Sequence, residues 1–120
     1  MAIQVDPQIM PRITFEKGKV IFKQGDIGDV AYVVQSGEVE IARTVKGRRK
    51  VLGQIGIGGM FGEMALVDGK PRMAEAVASK ETLCLVIPRE LFQRKVETTD
   101  PFIKRLLHIF LKNIRSMADD

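Results

Sequence analysis

The chain has 120 residues, 45% apolar and 28% charged, which suits one domain with a real core and a well-solvated surface. Its net charge of +4 leaves room for an anionic ligand without demanding nucleic acid, and its composition is neither disordered, collagen-like nor low-complexity. No apolar run nears the roughly 18 residues of a membrane span, residues 1–11 carry Asp6 and lack a secretory core, and the single Cys84 excludes an internal disulfide.

Residues 1–11, with Pro7 and Pro11, read as an N-terminal arm or short helical turn. From about residue 12 to residue 87, runs of branched residues alternate with glycine turns, the pattern of short strands. Val20-Ile21-Phe22, Ala31-Tyr32-Val33-Val34 and Val39-Glu40-Ile41-Ala42-Arg43 are such strands, and the last alternates apolar with polar. Lys46-Gly47-Arg48-Arg49-Lys50 breaks the pattern and Val51–Ile55 resumes it, which predicts a β-hairpin with a basic tip. After Ile57-Gly58-Gly59 the chain enters a short helical turn at Phe61–Leu66, and strands return at 74–78 and 83–87. Cys84 sits in the second of these and reads as a buried structural thiol. The predicted fold is mainly β: a jelly-roll β-sandwich with a short helix at 61–66 and C-terminal helices.

The period becomes helical at Pro88. A short helix is expected over 88–95, then a longer one capped by Asp100 with Pro101 in its first turn. Phe102, Ile103, Leu106, Leu107, Phe110, Leu111, Ile114 and Met117 recur at spacings of three and four, giving a broad apolar face. The whole chain, 1–120, thus reads as one domain: arm 1–11, β-roll 12–87, helices 88–120.

The segment Phe61–Ala74 carries the chemistry. Gly62 lets a backbone approach a ligand, and the turn that follows exposes free N–H groups of the kind that bind anions. Arg72 adds a planar cationic fork matched to phosphate oxygens. Glu63 would repel a bare phosphate, but it suits a hydroxyl beside one, such as a ribose 2′-OH, and Arg72 is placed to neutralise it. As a bare pair, Glu63 and Arg72 read equally well as a structural ion pair.

The pattern Phe61-Gly-Glu-Met-Ala-Leu-Val-x-x-x-Pro-Arg-Met-Ala74 resembles the phosphate-binding cassette of the cyclic nucleotide-binding domain family. Phe15, Gly18, Ile21, Gly25-Asp26, Gly28-Asp29, Ala31-Tyr32, Val34 and Gly37-Glu38-Val39 are similar to that family's early strands and turns, so the likeness runs over about 12–117. The resemblance implies that Arg72 binds the exocyclic phosphate oxygens and Glu63 the ribose 2′-OH. Gly62, Met64, Ala65 and Ala74 would present backbone groups, with Met73 beside them. It also implies a mobile lid, here 100–117. The family usually has Ala, Ser or Thr after the arginine, and a Thr there favours cGMP. Met73 has no hydroxyl, which points to cAMP over cGMP. Glu75, two positions on, replaces a small or apolar residue and brings a second carboxylate near the phosphate site.

The expected function is a non-enzymatic, cytoplasmic cyclic-nucleotide sensor that signals to a downstream protein by moving its last helix. A homodimer through that helix fits its apolar face. The alternative is a family relative that no longer binds nucleotide and serves as an interaction module. A cupin-type metal enzyme needs several histidines, and His108 is the only one. No metal, membrane or nucleic-acid partner is expected: the basic hairpin lacks interleaved aromatics, and no helix-turn-helix follows the lid before Asp120.

Overall fold

The computed structural model describes residues 10–118. The predicted N-terminal arm lies outside the described residues except for Met10 and Pro11. Eight strands form two four-stranded antiparallel sheets. They are β1 (Arg12–Phe15), β2 (Val20–Phe22), β3 (Val30–Ser36), β4 (Val39–Val45), β5 (Arg48–Ile55), β6 (Met60–Phe61), β7 (Glu75–Ala78) and β8 (Thr82–Pro88). One sheet runs β1-β8-β3-β6 and the other β2-β7-β4-β5. This is the jelly-roll β-sandwich expected from the strand pattern.

Sheet packing explains the sequence pattern. In β7, Ala76 and Ala78 are fully buried while Glu75 and Val77 turn to the other face. These small residues let Phe15, Val34, Val39, Phe61 and Cys84 close the space between the sheets. Burial pushes the Cys84 thiol up to about 11, so it is inert packing. Four aromatic rings extend this core: Tyr32 stacks on Phe61 at 5.1 Å, and Phe22 lies 6.0 Å from Phe61.

The β4–β5 hairpin differs from the expected basic tip over 46–50. Its turn is only Lys46-Gly47, both at positive φ (54° and 76°), and Arg48–Lys50 belong to β5. A two-residue turn with both φ positive matches the twist of the flanking strands, and long basic side chains tolerate a strand whose faces are wet.

Three helices complete the fold: α1 (Glu63–Asp68), α2 (Arg89–Glu97) and α3 (Pro101–Met117). Leu66 of α1 joins Met10, Ala31, Leu85 and Ile87 in a second core that also takes Leu91 and Phe92 of α2. Pro88 ends β8 in an extended conformation, so α2 begins one residue later than expected. The Asp100 side chain accepts from Phe102 N at 2.8 Å and starts α3 as predicted.

Thr82, fully buried, joins the turns at one end of the sandwich. Its hydroxyl donates to Lys80 O at 2.8 Å and accepts from Glu38 N at 3.1 Å. A Cβ on neighbouring Gly37 would stand 2.7 Å from Thr82 Cα, so the approach requires glycine. Thr82→Val should therefore destabilise the fold by about 1–3 kcal/mol in urea denaturation, because Glu38 N–H loses a buried acceptor. A loss below about 0.5 kcal/mol would show that this hydroxyl is dispensable.

Candidate functional site

The seven residues singled out in the sequence meet in one cavity of about 200 Å³. Gly62, Glu63, Met64 and Ala65, the cap and first turn of α1, form one wall. Arg72, Met73 and Ala74 form the next. The structure adds Phe22, Ile41 and Ile55 from the sheets and Ile114 and Arg115 from α3. Gly62 adopts φ 83°, and a Cβ there would lie 2.8 Å from an Arg72 terminal nitrogen. Glycine is needed at 62 for both reasons.

Arg72 is the best-fixed side chain of the site. Its N–H donates to Asp26 O and its carbonyl accepts from Gly25 N, each at 2.8 Å, which ties it to the β2–β3 loop. Arg72 is 6% exposed, and its guanidinium donates to Gly62 O at 2.6 Å and Val30 O at 2.7 Å. Its Cζ stands 4.1 Å over the Phe22 ring. Gly28 flanks it so closely that a Cβ there would lie 2.5 Å from Nε. Arg89 of α2 holds this loop from the other side, through Gly28 O and Asp29.

Two N–H groups of Arg72 are thus engaged, from the five a guanidinium carries. Nε is the one buried side-chain polar atom without a partner among the described residues. Burial pulls the Arg72 pKa below its ordinary value; Tyr32, Asp26, Asp29 and Glu63 oppose that shift. A buried cation with unused donors in a cavity wall is chemically suited to an anion.

Glu63 is half-buried, and burial raises its pKa above the ordinary carboxylate value. A hydrogen bond with its own backbone and the charge of Arg72 pull the other way. Among the described residues no ion pair joins Glu63 to Arg72, because the guanidinium is turned to two carbonyls. The expected neutralisation acts only through space.

The two unusual cassette residues have different fates. Met73 lines the cavity, and its carbonyl accepts from Arg43. Glu75 turns out of it: β7 alternation sends Ala76 to the core, and the Glu75 carboxylate pairs with Arg49 at 2.6 Å. Arg49 also reaches Glu40 at 2.7 Å, so both acids are balanced on the outer sheet face. His108 is exposed on α3, apart from the cavity.

Sequence reading missed the contacts that α3 makes with the cassette. Arg115 pairs with Asp68, Nε to Oδ2 at 2.6 Å and a terminal nitrogen to Oδ1 at 3.0 Å, and donates to Pro71 O at 3.0 Å. Neither local periodicity nor motif spacing signals a pair 47 positions apart.

The family model for the cyclic nucleotide-binding domain matches residues 12–99. The chain is 33% identical over 93 residues to a cAMP-dependent protein kinase regulatory subunit of Mucor circinelloides f. lusitanicus, covering 78% of this chain and 22% of that protein. It is 44% identical over 80 residues to a cyclic AMP receptor protein of Thermus thermophilus, covering 66% and 37%. It therefore spans well under half the length of these relatives. Among solved structures, the cAMP-bound form of the EAL enzyme Bd1971 superposes with a TM-score of 0.84 at 31% identity, covering 88% of this chain and 28% of that one. The cGMP-bound form gives the same TM-score and identity over 90% and 30%. On the family match and these relatives, the chain belongs to the cyclic nucleotide-binding domain family.

Proposed function

We propose that the domain is a non-enzymatic cytoplasmic sensor of cAMP, and that α3 moves when the nucleotide binds and changes the surface offered to a downstream protein. The β-roll 12–87 and the helices that follow it act as one unit. The observation that carries this reading is the buried Arg72, unpartnered at Nε, in the wall of the cavity that gathers the cassette. A phosphate takes the free Arg72 donors together with the unpaired N–H groups of the first turn of α1. Glu63, held beside them, accepts from the ribose 2′-OH. Gly62, Met64, Ala65 and Ala74 lend backbone groups.

The choice of cAMP over cGMP rests on Met73, which brings a thioether and no hydroxyl to the lining. Movement of α3 is supported by size. The cavity holds about 200 Å³ with Ile114 and Arg115 on its wall, whereas ligand pockets start at roughly 300 Å³. The nucleotide selects, by its higher affinity, a position of α3 pivoted about its Arg115–Asp68 tie, so that Ile114 leaves the cavity while the tie persists. The relatives named as a kinase regulatory subunit and a receptor protein favour a signalling role over catalysis. The non-binding alternative is weakened by Glu75, which is paired with Arg49 and leaves no carboxylate of its own in the cavity.

A homodimer through α3 is part of the proposal. Ile103, Leu107, Phe110, Ile114 and Met117 fall at alternating spacings of four and three, and each is at least 37% exposed. That is the seam of a two-helix coiled coil. Light scattering should give a dimer at about 100 μM and a monomer for Phe110→Glu; a monomeric wild type would contradict this interface.

Calorimetry should detect cAMP binding, with Arg72→Ala weakening it about 10- to 150-fold, the equivalent of about 1.5–3 kcal/mol for a charge-assisted hydrogen bond. Arg48→Ala, in a separate basic concavity on the hairpin, should change it less than twofold. Equal effects, or no heat with millimolar cAMP and cGMP, would overturn the phosphate assignment.

Glu63 gives a pH-dependent outcome. Its folded pKa is raised, so its contribution to stability is complete below the ordinary carboxylate value and is lost as pH rises through the folded value. Glu63→Gln should accordingly raise the melting temperature of the unliganded protein at pH 7, with the gain vanishing near pH 4, while cAMP affinity falls about tenfold. A variant no more stable at pH 7 would show that the buried carboxylate carries no cost.

A further inference from the structure

We propose that Arg115 is a positioning residue for the cassette, so that α3 sets the spacing between the two halves of the anion site and does not merely cover it. The inference rests on the nucleotide-binding reading of that site. Asp68 ends α1, whose first turn supplies one half, and Pro71 directly precedes Arg72, which supplies the other. The link between them is Gly69-Lys70, with Gly69 in the left-handed region at φ 68°. Arg115 grips both ends of this link at once, through the Asp68 carboxylate and Pro71 O. Asp68 also accepts from Lys70 N at 3.0 Å, so one carboxylate orders the loop from inside and anchors it to α3.

The pair is shielded, with side chains 16% and 10% exposed, in contrast to the rest of the helix. No residue of α3 is buried, and Phe102, Phe110 and Met117 are more than half exposed. Apolar packing therefore holds α3 weakly, and a bidentate ion pair in a partly desolvated place is the strongest tie it makes to the cassette. Lost on one side only, the pair leaves a shielded charge unpaired and frees both the loop and the helix.

The test is a double-mutant cycle of Arg115→Met, Asp68→Asn and the combined variant. It reads cAMP affinity together with amide hydrogen exchange of residues 63–72 in the unliganded chain. Each single change should weaken binding about tenfold and speed cassette exchange about tenfold, with the combined variant no worse than either. Multiplying effects, near 100-fold in the combined variant, or unaltered cassette exchange would overturn the proposal. If the wild type binds neither cAMP nor cGMP yet the exchange cycle is non-additive, the nucleotide reading fails and the positioning role stands. If it binds and Arg115→Met alters neither readout, the positioning role alone fails.

Discussion

The buried guanidinium of Arg72 is the constraint on which the rest of the site depends. A cation 6% exposed is tolerated only when its surroundings are organised around it. Here they are: Gly62 O and Val30 O accept from it, Phe22 lies beneath it, and Gly28 and Gly62 withhold a Cβ where one would collide. Those contacts come from β2, β3, the β2–β3 loop and the cap of α1, so one side chain ties the cassette to both sheets. Phe22 and Phe61 join it to the aromatic core, and Arg89 braces the Gly28 loop from α2. The cost of this arrangement is an unpaired Nε. A protein evolved for stability alone has little reason to keep such an atom on a cavity-lining arginine, whereas a phosphate site does.

The cassette is rigid where it meets the sheets and adjustable where it meets α3. Its inner end is fixed by backbone hydrogen bonds, Gly25 N–H donating to Arg72 O and Arg72 N–H to Asp26 O. Its outer link, 68–71, is held by Asp68 and Arg115. Under the proposed function, a ligand entering between them would act on two elements with different resistance, and the less tightly packed one would move. The exposed apolar stripe of α3 would then have two competing destinations, the cavity through Ile114 and, in the proposed dimer, another copy of the helix. Competition of that kind converts occupancy into a change of surface.

Much of this was legible in the sequence because it is periodic or local. The strands around Ala76 and Cys84, the Asp100-Pro101 start of α3 and the glycine at 62 each follow from the residue and its immediate neighbours. The cassette, being nearly contiguous, announced its own residues, and the cavity gathers all seven. Three features were hidden. The hairpin turned at Lys46-Gly47 and left three basic residues in β5, because turn geometry outranked charge clustering. The facing of Glu75 depended on register, which a residue list does not contain, and Arg49 supplied its partner from the neighbouring hairpin. Arg115 read as one more cation on a polar helix face; only the fold brings it to Asp68.

The proposed role of Arg72 is to offer its free donors to a nucleotide phosphate. It is tested most directly by following the Arg72 Nε–H resonance in nitrogen-15 spectra during a cAMP titration. This signal should move downfield and saturate together with the amides of Glu63, Met64 and Ala65. An Arg72 Nε–H resonance that stays put while other signals saturate would contradict it.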